Sequence, residues 1–404
     1  MVAAKLDEAP SDPVELRHNT ALDGIRGLAI LMVLGLHLVY INNDVQTPVY
    51  AILRSIKGCG ASGVDIFFAL SGFLITRILV QTASDKHFFR NFYARRALRI
   101  FPLYYVVMLV LFALTPLLHI HWGGDQWRLL TYSNHLVPSH SSGPWNFYYG
   151  GSISLVNFWS LHIEEQFYML WPLFVFFLPS PRRLLPIAAS ISLACLILRV
   201  VLLHRGFSQE FVYTALITRA DSLLIGACLA LGLRTGLHKT LLKCATPVFV
   251  ICLLLIIAEN LAQHLYPSSS ILLFTLIFTL VPIGATALIA MCLKPASRMA
   301  SVFRSRVLVF FGRYSYGLYI FHSVLPMFYT RWLPPLTASI SNPLLGHLLD
   351  TAVQLGIALG VSMLSYHFFE KPLLRLKRFF PAERHSAISP APEPLTAPSL
   401  PAVG

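Results

Sequence analysis

Ten runs of apolar residues divide the chain, at about 22–41, 60–81, 100–119, 157–178, 184–204, 211–233, 244–260, 270–293, 307–329 and 347–369. A helix that crosses a bilayer needs about 20 such residues. The pattern therefore predicts an all-α integral membrane protein, a bundle of about ten transmembrane helices. The basic residues between the runs alternate in density. With the N-terminus in the cytoplasm, nineteen Lys and Arg fall in inside segments against five outside, namely Arg54, Lys57, Arg128, Arg205 and Arg331. The positive-inside rule then predicts that both termini are cytoplasmic. The fifth to seventh runs are the least sharply bounded.

Polar residues interrupt these runs at selected places. The first, Leu22–Tyr40, carries Asp23, Arg26 and His37. Ionisable groups inside a span cost roughly 2.5–3.5 kcal/mol each at its centre, so they point to function. Arg26 and His37 stand close to three turns apart, on one helix face and about 16 Å from each other along the axis. At 1.5 Å per residue, His37, Asp65, Ser71, His162, Glu164, Glu165, Arg219, Asp221 and His322 fall in one layer, in the outer half of the membrane. Charges there must pair, neutralise or line a wet cavity, and a cavity with imidazoles and carboxylates suits general acid–base chemistry.

Several of these residues keep two readings. Glu164 and Glu165 point about 100° apart, and periodicity does not choose which of them faces a cavity. Arg219 and Asp221 read as a structural polar pair or as cavity residues. Asp65 reads as a helix cap or as an orienting group, and His322 as a functional group or a cross-helix hydrogen-bond partner. Glycines 24, 27, 35, 63 and 72 are expected to allow close helix packing. A second cluster, Arg96 and Arg99 with Arg26, lies at the opposite, cytoplasmic level. Guanidinium groups gathered there suit phosphates, or act as anchors on anionic lipid.

Composition narrows the class. Of the 404 residues 56% are hydrophobic and only 12% charged, with a mean hydropathy of +0.65, whereas a soluble domain has about 25% charged residues. The net charge of +13 is spread over alternating loops, which argues for topology and against nucleic acid. The six cysteines are scattered without metal or disulfide spacing, and no metal site is expected. Residues 1–20 are polar, are expected to be disordered and resemble no cleaved signal peptide. The segment 373–404 is basic and then Pro/Ala-rich, and is expected to be a disordered tail. The loop of about 120–156 is rich in aromatic and polar residues, suited to stacking on sugars or to anchoring at the headgroups.

Six stretches, in order, carry a family resemblance: Leu22-Asp-Gly-Ile-Arg-Gly with His37; Gly63–Thr76; Phe92–Tyr104; Trp159–Pro172; Ser315–His322; and Phe369-Glu-Lys-Pro372. Together they resemble the membrane acyltransferase 3 family, bacterial O-acyltransferases acting on carbohydrates, over 21–372. The resemblance implies transfer of an acyl group, usually acetyl from acetyl-CoA as a co-substrate, to a hydroxyl of a cell-envelope or exported carbohydrate or glycolipid, in the bacterial inner membrane. No permanently bound cofactor is implied. Arg26 and His37 match the family's first-helix pair, Arg96 and Arg99 its paired arginines, and Glu164–Tyr168 its fourth-helix run. His162 departs from the family pattern, which has a small or apolar residue there. Some members carry a C-terminal esterase-like domain; none is found in these residues, so acceptor choice is expected to rest on the membrane domain or a separate partner. The expected scheme has His37 as base, Glu165 or Glu164 orienting it, and Arg26, Arg96 and Arg99 holding the acyl donor. The remaining candidate cavity residues are Asp23, Asp65, Ser71, Arg219, Asp221 and His322. The alternatives are a transporter or flippase for an envelope glycan or lipid-linked substrate, and an envelope scaffold.

Overall fold

The computed structural model describes residues 19–39, 54, 57–118, 120, 122, 126–133, 155, 157–265, 271–294, 297–326, 340 and 342–381. The N-terminal segment to residue 18, the tail beyond 381 and most of the 120–156 loop lie outside the described residues, so the expectations made for them are not addressed by the fold.

Among the described residues all regular structure is helical. The long helices are α1 (Thr20–Leu38), α2 (Ser62–Gln81), α3 (Phe88–Ala113), α4 (Phe158–Phe177), α5 (Pro181–His204), α6 (Leu216–Gly232), α7 (His238–Leu265), α8 (Ile271–Leu293), α9 (Arg306–Val324) and α10 (Pro343–Ser365). Among the described residues eight helical segments are long and apolar enough to cross a membrane, the architecture of a multi-pass membrane protein. The long helices outside that set are α4 and α9, which carry Glu164, Glu165, Arg313 and His322.

Two helices differ instructively from the apolar runs. The third run begins at about residue 100, yet α3 begins at Phe88. Hydropathy marks where hydrocarbon could start, whereas backbone hydrogen bonding continues into the basic turns. Arg95, Arg96 and Arg99 are therefore held on a rigid helix. The sixth run is broken: a short helix, Gln209–Thr214, ends at extended Ala215 before α6 begins. Pro102, Pro172, Pro186, Pro247 and Pro282 lie inside helices, as membrane helices tolerate.

Close backbone contact sets the centre of the bundle. A Cβ on Gly27 would lie 1.9 Å from the Leu308 carbonyl oxygen, and one on Gly312 would lie 1.9 Å from that of Asp23. The α1–α9 pair therefore depends on hydrogen at both positions. The α2–α6 pair repeats the device, with Gly72 against Leu223 and Gly226 against Ala69. Gly24 and Gly63 also meet neighbouring backbone, as expected from sequence, while Gly35 faces open space. At the periphery, α7 and α10 turn Leu254, Ile257, Leu348 and Val353 outward, where lipid would cover them. After α10 the chain makes a π turn, Tyr366–Glu370. It then returns to α3, where Arg95 donates to the Phe380 carbonyl (3.0 Å) and Asn91 to that of Pro381 (2.8 Å).

Candidate active site

Helices α1, α2, α3, α4 and α9 line a cavity of about 90 Å³. Arg26, Arg96 and Arg99 line it. Arg96 and Arg99, one turn apart on α3, share a face as their spacing predicts. The Arg96 guanidinium sits 5.0 Å from the Tyr168 ring centroid, a cation–π distance. Arg26 pairs with Asp23 at 3.0 Å. Lys377, on the returning C-terminal segment, is within charge reach of Arg99, Arg96, Arg95 and Arg26. So many cations at one end of a cavity repel one another until an anion joins them.

Glu164 faces this cavity. It accepts a hydrogen bond from Ser71 at 2.6 Å. The single Ser71 proton being committed there, the Tyr168 hydroxyl donates to Ser71 Oγ at 2.8 Å. Glu164 and Ser71 thus belong with the arginines.

His37 lies in the last turn of α1, about three turns beyond Arg26. Its Nδ1 is 2.8 Å from the Val33 carbonyl oxygen. A carbonyl only accepts, so Nδ1 carries the proton and Nε2 presents a bare lone pair. His37 is exposed, and its ring centroid is 5.2 Å from that of buried His322. His322 Nδ1 donates to Leu318 at 2.9 Å, and its Nε2 is 2.8 Å from Asn157 Nδ2. The Asn157 carbonyl oxygen accepts from Tyr319 (2.8 Å), Ser160 Oγ hydrogen-bonds the Tyr319 hydroxyl, and Tyr319 and Ser160 both line the cavity. Asn157 therefore links the cavity wall to His322, whose ring lies against that of His37.

Glu165 occupies the other flank of α4. It is buried, its Oε1 has no hydrogen-bond partner among the described residues, and its charge reaches Tyr105, Tyr132 and Tyr316. The ~100° step between neighbours on a helix sends the two glutamates to different places. Among the described residues His37 meets the Val33 carbonyl and the His322 ring rather than either glutamate. His162 is buried against α3, its Nε2 3.0 Å from the Tyr104 hydroxyl, which donates its own proton to Leu129. The residue that departs from the family pattern thus ties α4 to α3.

Asp65, Arg219 and Asp221 lie away from the cavity. Arg219 pairs with Asp65 and packs over the rings of Tyr213, Phe278 and Phe68. Asp221 takes a bidentate bond from Arg199, at 2.9 and 2.7 Å, and another from Thr279. The reading of Arg219 and Asp221 as partners of each other is replaced by these two pairs, because residues two apart on a helix face nearly opposite ways. Sequence reasoning did not single out Arg199, Asn157, Ser160, Tyr319 or Lys377. One signal was available: Ser315, Tyr319 and His322 recur at i, i+4 and i+7, one stripe of α9.

A family model described as an acyltransferase domain matches residues 19–367. The chain is 31% identical over 382 residues to a putative peptidoglycan O-acetyltransferase, YrhL, of Bacillus subtilis, covering 88% of this chain and 55% of that protein. It is 29% identical over 374 residues to the peptidoglycan O-acetyltransferase OatA of Listeria monocytogenes, covering 87% and 55%. It is 27% identical over 381 residues to the O-acetyltransferase OatA of Staphylococcus aureus, covering 88% and 57%. The chain thus spans about half the length of these curated relatives. No solved structure matches it.

Proposed function

The chain belongs to this acyltransferase family, and from that premise we propose that it is an integral-membrane O-acetyltransferase, moving an acetyl group from acetyl-CoA in the cytoplasm to a hydroxyl of a cell-envelope carbohydrate such as peptidoglycan. The observation that carries the reading is one cavity with Arg26, Arg96 and Arg99 along it and Asn157 linking its wall to His322, whose ring lies against that of His37. The charge bias of the loops supports ten crossings with both termini cytoplasmic, which would put the arginines at the inner surface and the histidines near the outer one, in the bacterial inner membrane.

In this scheme the donor's phosphates rest on Arg96, Arg99 and Arg26, with Lys377 at the margin. The pantetheine arm passes Ser71, Glu164 and Tyr168 and presents the thioester near the histidines. His37 Nε2 takes the proton of the acceptor hydroxyl as its oxygen bonds to the acyl carbon. The carbon–sulfur bond breaks, and the departing thiolate recovers the proton from His37. The Val33 carbonyl orients the imidazole, the task a carboxylate performs in a triad.

The test uses the purified protein in liposomes, with radiolabelled acetyl-CoA on the arginine side and a peptidoglycan glycan on the other. Alkali-labile label on the glycan is the expected result. Glycan movement across the membrane without acetyl consumption would instead establish a transporter. Arg96→Ala is expected to raise the KM for acetyl-CoA about 10–100-fold, the worth of one charge-assisted hydrogen bond, with kcat little changed. Lys377→Ala is expected to act in the same direction on acetyl-CoA but not on acetyl-pantetheine, which lacks the nucleotide phosphates. If both variants only lower protein yield, these residues serve topology.

A further inference from the structure

Asn157 stands at the junction of the cavity wall and the histidine pair. It is buried at 6% exposure, as are Ser160 at 4%, Tyr319 at 6% and His322 at 2%. Its backbone carbonyl receives the Tyr319 hydroxyl, which Ser160 Oγ meets in turn. Its side-chain nitrogen meets His322 Nε2 at 2.8 Å. An amide nitrogen only donates, so Nε2 of His322 must accept, and its proton is on Nδ1, bonded to Leu318. Both imidazoles are thus locked by the carbonyl four residues earlier, but they differ in one respect. Among the described residues nothing bonds His37 Nε2, whereas His322 Nε2 is filled by Asn157.

We propose that Asn157 is a positioning residue: by filling Nε2 of His322 it keeps a second proton off that ring and leaves His37 as the member of the pair that takes up the acceptor's proton. The inference rests on the reading of His37 as the base. Two imidazoles with centroids 5.2 Å apart cannot both become cations in a membrane interior without strong repulsion. A base beside a cation would be a poor one. Asn157 opposes that state by turning Nδ2, and not its carbonyl oxygen, toward His322 Nε2. The same contact anchors the first residues of α4 to α9, so the cavity wall and the proton-accepting pair share one hinge of hydrogen bonds.

The test contrasts two substitutions. Asn157→Asp keeps the shape but presents an acceptor, so His322 Nε2 gains a proton to meet it. Asn157→Ala removes the group and leaves Nε2 bare. The inference expects kcat for acetyl transfer to fall about 100-fold in Asn157→Asp and only about 10-fold in Asn157→Ala, with the KM for acetyl-CoA unchanged in both. A purely structural role predicts the reverse order, because aspartate preserves packing. In a His322→Phe background the extra cost of aspartate over alanine should disappear. Asn157→Asp as active as wild type, milder than Asn157→Ala, or equally damaging with and without His322 overturns the inference. Should Asn157→Asp not accumulate as folded protein, Asn157→Leu takes its place: a kcat loss of about 10-fold at unchanged KM is expected, and full activity overturns the inference. Wild-type protein that transfers no acetyl group would instead overturn the underlying reading of His37.

Discussion

Replacing His37 by alanine is expected to lower kcat for acetyl transfer by about 10²–10⁴-fold, the usual worth of a positioned general base, while leaving the KM for acetyl-CoA near the wild-type value. His37 Nδ1 is committed to the Val33 carbonyl at 2.8 Å, so the ring is held in one tautomer with Nε2 bare. The ring is exposed on one side and backed by buried His322 on the other, so an acceptor hydroxyl can reach it while the imidazole cannot retreat. The arginines lie about three helical turns away, so donor binding does not depend on it. Initial rates of labelled acetyl transfer in liposomes, at matched amounts of folded protein, measure both constants. Full activity in His37→Ala would remove the base from the scheme. A raised KM with unchanged kcat would place His37 in donor binding instead.

The largest loss of stability is expected at Asp221, far from the cavity. Arg199 and Asp221 are each fully buried. Arg199 bonds both Asp221 oxygens, the Thr218 carbonyl and the Thr279 hydroxyl. Asp221→Ala leaves that guanidinium charged, enclosed and without its counter-ion, a loss of about 3–5 kcal/mol. Thermal unfolding in detergent, or the fraction of protein recovered monodisperse, should show it. The double replacement Arg199→Met with Asp221→Leu should recover most of the loss, because an apolar pair of similar volume needs no solvation. If the double variant is as unstable as Asp221→Ala, the pair contributes through something other than charge compensation, such as its bonds to Thr218 and Thr279.

These two sites show how far the chain could be read before folding it. The apolar runs located the long helices to within a few residues, except where a helix continued beyond the hydrocarbon, as α3 does for the twelve residues from Phe88 to Arg99. Helical spacing placed Arg96 beside Arg99, and counting turns from the membrane surface placed His37 level with His322. What spacing could not do was choose partners across helices. The predicted single layer of polar groups divides among different partners: Ser71 with Glu164, His37 with His322 and Asn157, His162 with Tyr104, Asp65 with Arg219, and Asp221 with Arg199, while Glu165 lies apart on the other flank of α4. Depth is set by sequence position along a helix, but azimuth is set by which helices touch.

By itself, then, the sequence determined the helical membrane class, the position of each ionisable group along its helix and the resemblance to a family, because hydrophobic burial and the 1.5 Å rise per residue are properties of each segment alone. Only the tertiary structure decided that Glu164 and not Glu165 lines the cavity, that a backbone carbonyl holds His37, and that Arg199 and Asn157 belong to the polar interior at all. Those outcomes depend on how α1 seats against α9 and α2 against α6 through their glycines. A rotation of one helix by a single residue, about 100°, would exchange every partner while leaving each segment's own pattern unchanged.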